Sequence, residues 1–378
     1  RLVDAGHVQP RGQKRDAALI QRHFPKLNRS LTGYDLAHIR DSRGRFDLNS
    51  ILCGSEGSLG FVSEAKVNLL PIPKFTALVV VGYASFDAAL RDAPRLLKID
   101  AASIETIDSV VLRLAREDNT WPAIRRFFPD SAAPLEGVNL IEFAADEPSA
   151  LEASLSAAFA LLGIADGAHG VLGHSVARGH DEVGRVWEMR KRAVGLLGRL
   201  QGEPRPIPFV EDTAVPPENL ADYIAEFRAL LDRRGLIYGM FGHADAGVLH
   251  VRPVLDMKDP VQERLVRAIT DDVVALTRKY CGVLWGEHGK GLRSEYAPAF
   301  FGPLYSRLQQ IKLAFDPHNQ LNPGKIATPP GQALTRLDEV PTRGQRDRVI
   351  PLALRRSFSD ALHCNGNGAC FNFSPDDA

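Results

Sequence analysis

Apolar and polar positions along the chain change period several times, and each change marks an element. Residues 61–70 form a mostly apolar run closed by Pro71 and Pro73, which predicts a strand and then a boundary near Lys74. Residues 76–81, 102–107 and 138–143 are further short apolar runs of strand length. Between and beyond them the spacing turns helical. Phe86, Leu90 and Leu97 mark one side of a helix over 86–97, and residues 148–162 form an alanine-rich helix. A long helix over 181–200 carries Trp187, Arg190 and Arg192. Another spans 217–233, with Pro217 in its first turn, where a missing N–H costs nothing. The clearest helix covers 261–280, with Val261, Leu265, Ala268, Ile269, Val273, Leu276 and Tyr280 in phase. Strands with helices between them predict an α+β fold, an antiparallel sheet flanked by helices. After Ile326 periodicity fades, and 327–356 reads as a linker or an extended crossing segment.

One stretch carries candidate chemistry. Apolar residues run up to Gly242, turn residues follow, and then Val248, His250 and Arg252 alternate with Leu249 and Val251. This is a hairpin pattern. Centred between Asp245–Ala246 and Gly247, it sets His243 opposite His250, with Cβ atoms roughly 4.5–5.5 Å apart. Two imidazoles at that distance can converge on one metal ion. Trp285-Gly-Glu-His-Gly-Lys-Gly291 then supplies Glu287 as a carboxylate ligand and His288 as an adjacent base. Two histidines and a carboxylate leave a divalent site with open positions. On spacing alone the same residues read equally well as ordinary turn or core histidines.

Composition narrows the field. The chain has 378 residues, with 46 basic and 46 acidic side chains and zero net formal charge, so nothing marks a nucleic-acid partner. No apolar stretch is long enough for a membrane span. The start is not a signal peptide and lacks an initiating Met, so the chain is expected to be a piece of something longer. Four cysteines, Cys53, Cys281, Cys364 and Cys370, are too few and scattered for a disulfide framework. A reducing, cytoplasmic setting is expected.

Gly54-Ser-Glu-Gly-Ser-Leu-Gly60 is a glycine-rich turn that matches neither a P-loop nor a dinucleotide fingerprint. Its backbone can approach a flat ring closely, although alone it reads more readily as a tight turn. Taken with its flanks, Cys53 to Glu64 resembles the end of the FAD-binding domain of vanillyl-alcohol-oxidase type flavoproteins, the PCMH type. The segments 242–250, 286–291 and 315–326 resemble the FAD-linked oxidase C-terminal domain of D-2-hydroxyacid dehydrogenases, and the order matches from about Leu31 to Ile326. The nearest pattern is the bacterial branch fused to an iron–sulfur module, which includes D-2-hydroxyglutarate and D-lactate dehydrogenases.

That resemblance implies a division into 1–74, the C-terminal part of an FAD-binding domain whose first half lies upstream; 75–326, the substrate and metal domain; 327–360, a linker; and 361–378, the opening of an iron–sulfur module. It implies FAD lined by Cys53, Gly54, Ser55, Glu56, Gly57, Ser58 and Gly60, with Asn322 near it. It implies a divalent metal, zinc in most relatives, on His243, His250 and Glu287, with His288 as base. Arg190, in Trp187-Glu-Met-Arg190, matches the arginine that binds the substrate carboxylate. Two departures bear on the substrate: Arg252 stands where single-domain relatives have Asn, and 209–216 lacks their substrate lysine. Arg190 and Arg252 together could serve two carboxylates, which puts D-2-hydroxyglutarate before D-lactate. Cys364 and Cys370 match the start of a four-cysteine cluster site, so a 4Fe-4S cluster is expected only in a longer protein. The electron acceptor stays unidentified; peripheral contact with the inner membrane face and self-association stay open. The alternative is a metal-binding or scaffold fragment that does not turn over.

Overall fold

A computed structural model describes residues 10–27, 29, 33–41, 43–118, 120–163, 168–196, 203–358 and 361. Among the described residues the strands are β1 (Phe75–Tyr83), β2 (Ser103–Asp108), β3 (Gly137–Ala145), β4 (Val171–Arg178), β5 (Arg205–Pro206), β6 (Thr213–Ala214), β7 (Tyr238–His243) and β8 (Val248–Leu255). They form one antiparallel sheet in the order β4-β1-β3-β2-β7-β8-β5, with β6 also on β8.

The central strands are buried on both faces, which is why 76–81 reads as a run without alternation. Val79 and Val81 join one core cluster with residues of the helices Phe86–Leu96, Pro148–Gly163 and Leu220–Asp232. Leu78 and Val80 join the other, with residues of Ser109–Glu117 and Gly179–Leu196. Asp108 ties this second layer to the hairpin. One carboxylate oxygen accepts from Val111 N and caps the 109–117 helix; the other accepts from Met240 N at 2.8 Å and anchors β7. Burial pushes the Asp108 carboxyl up to about 7, against those bonds.

Several expectations are corrected. Residues 61–70 are not a strand: among the described residues the backbone has no ladder partner, and Phe61 and Leu70 are each 89% exposed. An apolar run shows β capability, not pairing. Leu97 lies past its helix and is exposed. The 217–233 segment opens as a 3₁₀ turn, Pro217–Asn219, before its α-helix. The long helix is described as Gly179–Leu196, and 197–200 lie outside the described residues. Residues 327–356 cross the Pro260–Lys279 helix: Thr342 Oγ1 donates to Glu263 at 2.7 Å, Arg348 pairs with Glu263, and Gly344 packs on the Met257 backbone. Cys364 and Cys370 lie outside the described residues. Among the described residues no helix is long and apolar enough to cross a membrane.

Candidate active site

The hairpin register differs from the one the turn residues suggest. His243 faces Val248, and His250 faces Phe241. The turn is a 3₁₀ segment, Ala244–Ala246, closed by Gly247 at φ 66°. The slip is two residues, so side-chain parity is kept. Phe241, His243, His250 and Arg252 still share a face, and the two imidazole centroids are 5.6 Å apart. Gly242 makes this hairpin feasible. Its φ is +155°, and a Cβ there would run into the Val248 carbonyl.

Three groups converge on one point. Glu287 Oε1 lies 3.0 Å from His243 Nε2 and 3.0 Å from His250 Nε2. The His250 bond, with help from His243, holds the Glu287 carboxyl well below the usual carboxylate range despite burial. Asp212 keeps the loop in place: its oxygens accept from Glu287 N and His288 N, both at 2.9 Å. Burial raises the Asp212 carboxyl, and those N–H groups oppose the rise. Asp212, His250, Glu287 and His288 all bring ligand atoms within 4.8 Å of one another. Asp212 spends both oxygens on backbone donors, which leaves His250, Glu287 and His288 as the freer members of that group; His243 is not in it and reaches it through its 3.0 Å contact with Glu287. Nitrogen and carboxylate oxygen donors gathered this closely fit a divalent cation.

His288 stands beside the set. Its ring stacks on His250 at 5.1 Å, Nε2 is 3.7 Å from Glu287 Oε1, and the side chain is 47% exposed, so a ligand can reach it. Arg190 and Arg252 flank the Phe241 ring, 5.1 Å and 5.6 Å from its centroid. Both are paired: Arg190 Nη2 donates to Glu105 Oε2 at 2.8 Å, and Arg252 Nε to Glu211 Oε2 at 2.7 Å.

The glycine-rich turn packs against this loop. Glu56 accepts from Lys290 N at 2.6 Å and Gly291 N at 2.9 Å. Asn322, itself at φ 41°, donates from Nδ2 to Glu56 O at 2.7 Å. Gly54 and Gly57 have positive φ, and Gly57 and Gly60 have open space where a Cβ would be. That leaves backbone accessible to a planar ring. Ser58 faces inward, bonded to Tyr34 and to Ser55 O, and Cys53 is exposed. Buried Lys312 clamps the turn from beneath, donating to Ser58 O, Asp316 and Leu321 O at 2.6–2.7 Å.

Sequence reading missed four residues here. Glu105 bonds His243 Nδ1 and Arg190; Glu211 bonds Arg252; Asp212 holds the 287–288 backbone; and Arg29 Nη1 reaches Glu287 Oε2 at 3.3 Å. The available signal was an acidic residue inside a strand-length segment at Glu105 and an acidic pair, Glu211 and Asp212, between apolar residues just before the Thr213–Ala214 strand.

Fold and site together define a flavin-linked oxidase module with a metal-type donor set. The chain belongs to the family of FAD linked oxidases, C-terminal domain, whose model matches residues 72–326. It is 61% identical over 369 residues to D-2-hydroxyglutarate dehydrogenase of Pseudomonas putida, covering 97% of this chain and 37% of that protein. It is 55% identical over 362 residues to the protein of that name from Escherichia coli, covering 94% and 36%. The chain thus spans little more than a third of these relatives. Among solved structures, 4-ethylphenol oxidase from Gulosibacter chungangensis shares the fold with a TM-score of 0.51 at 12% identity, covering 70% of this chain and 56% of that one.

Proposed function

We propose that this chain is the substrate- and metal-binding part of an FAD-dependent dehydrogenase that converts a D-2-hydroxy acid to the 2-oxo acid. D-2-hydroxyglutarate is the first substrate and D-lactate the second. The carrying observation is the convergence of His243, His250 and Glu287 beside an accessible His288, with two arginines on the same face. The names of the relatives support the substrate class.

His243, His250 and Glu287 would hold a divalent ion, zinc first. Gly54 to Gly60 and Asn322 would line the flavin. When bound, the ion supplies Lewis acidity toward a hydroxyl and the flavin accepts hydride. His288 takes the hydroxyl proton as general base. Arg190 and Arg252 bind carboxylate oxygens and orient C2. Two guanidiniums on one face suit a dicarboxylate. The division into 1–74, 75–326, 327–360 and 361–378, with an iron–sulfur module completed downstream, belongs to the same proposal.

The test is anaerobic mixing of the flavin-loaded full-length protein with D- and L-2-hydroxy acids. D-2-hydroxyglutarate should bleach the flavin faster than D-lactate, and the L forms should leave it oxidised. His288→Ala should slow bleaching by about 10²–10⁴-fold at unchanged metal content. Bleaching by neither D acid would favour a non-catalytic scaffold; equal bleaching by both enantiomers would remove the stereochemical assignment.

A further inference from the structure

The catalytic groups named so far do not explain why His243 and Arg190 hold the positions they do. Glu105 sits on β2 directly across the ladder from His243 and is 5% exposed. Its two oxygens are divided: Oε1 takes His243 Nδ1, and Oε2 takes Arg190 Nη2 at 2.8 Å. Arg190 comes from the 179–196 helix, and its other restraint is the face of Phe241 on β7. One buried carboxylate therefore joins a candidate metal ligand to a candidate substrate arginine. Glu211 repeats the pattern on the other side, with Arg252 at 2.7 Å and His288 Nδ1 at 3.6 Å. Among the described residues His250 has no such partner: its Nδ1 is buried without a hydrogen bond.

We propose that Glu105 is a positioning residue that couples the metal site to the substrate-carboxylate site through one shared side chain. The proposal rests on the metal reading above. Its chemistry is specific. Accepting from Nδ1–H puts the imidazole lone pair on His243 Nε2, the atom 3.0 Å from Glu287 Oε1, so an ion entering between the two would meet a nitrogen donor, and a carboxylate behind an imidazole makes it a better ligand. The second oxygen meanwhile fixes the guanidinium fork. An amide cannot do both: it has one acceptor oxygen, and its NH₂ would face either an imidazole N–H or a guanidinium N–H. Glutamine here should therefore loosen one partner and misplace the other.

The test measures Zn²⁺ affinity of the protein by competition with a chromophoric chelator, with Co²⁺ absorption as a second readout. Glu105→Gln should weaken Zn²⁺ binding by about 10–100-fold and alter the Co²⁺ bands, and it should raise KM for the D-2-hydroxy acid. Glu211→Gln should leave Zn²⁺ affinity unchanged. Arg190→Met should raise KM and weaken Zn²⁺ binding much less than Glu105→Gln. Nitrogen NMR of the imidazoles supplies the arm that needs no metal: wild type should show His243 protonated at Nδ1, and a spectrum without that proton would overturn the proposal even if Glu105→Gln does not fold. A folded Glu105→Gln protein with wild-type Zn²⁺ affinity would also overturn it. No Zn²⁺ binding by wild type would instead defeat the metal reading itself.

Discussion

The hairpin and the glycine-rich turn meet at the site but are held by different forces. His243 and His250 take their places from a ladder: β2, β7 and β8 fix them through backbone pairing and side-chain parity. The 53–60 turn belongs to no strand. Side chains reaching across hundreds of residues hold it: Lys312 under Ser58, Asn322 on Glu56, and Glu56 on the 290–291 backbone. A ladder spreads its restraint over many bonds. A clamp concentrates it in one or two buried groups. The hairpin backbone should therefore tolerate changes to side chains that do not bond the histidines, whereas the 53–60 turn should fail at single positions.

Lys312→Met is the sharpest way to break that contrast. The ammonium is fully buried, and its loss strands Asp316 and two carbonyls, so unfolding free energy should fall by about 3–5 kcal/mol. There is a pH signature. Burial would raise the Asp316 carboxyl, but Lys312 and the N–H groups of Leu321 and Gln320 hold it down at about 2, below its ordinary 3.8. A depressed carboxylate stabilises the fold above its unfolded pKa and loses that contribution as pH falls through its folded one. Wild-type stability should drop between about pH 4 and 2, and that stretch of slope should be shallower in Lys312→Met, where only the two N–H groups still favour the charged carboxylate. Denaturant melts across that range decide it; an unchanged slope would free the turn from this clamp.

A smaller effect is expected in the hairpin. Gly242→Ala forces a side chain onto a backbone at φ +155° and into the Val248 carbonyl. Strain of this kind costs about 1–3 kcal/mol. Most of the ladder should survive, with the fold intact by circular dichroism and the metal retained at reduced affinity. Complete loss of the folded state would show that the hairpin, too, depends on one point.

The same contrast explains what was legible in the sequence. His243, His250, Glu287 and His288 stood out because alternation and glycine spacing are local signals. Parity survived the two-residue error in the turn, so the shared face was right although the opposed pair was wrong. Glu105, Glu211 and Arg29 were missed because their importance exists only after distant segments are brought together. Glu105 and His243 are 138 positions apart. The 61–70 segment failed for a related reason: strand propensity is local, but a strand needs a partner, and none of the described residues supplies one. The helices were the most readable elements, since a repeat every 3.6 residues carries its own register.

Metal stoichiometry tests the His243, His250 and Glu287 assignment most directly. Elemental analysis after dialysis against a weak chelator and reloading with Zn²⁺ should give about one ion per chain, as expected for one set of two imidazoles and a carboxylate. The His243→Ala, His250→Ala double variant should hold none while keeping its fold. A full equivalent of Zn²⁺ retained by the double variant would contradict the assignment.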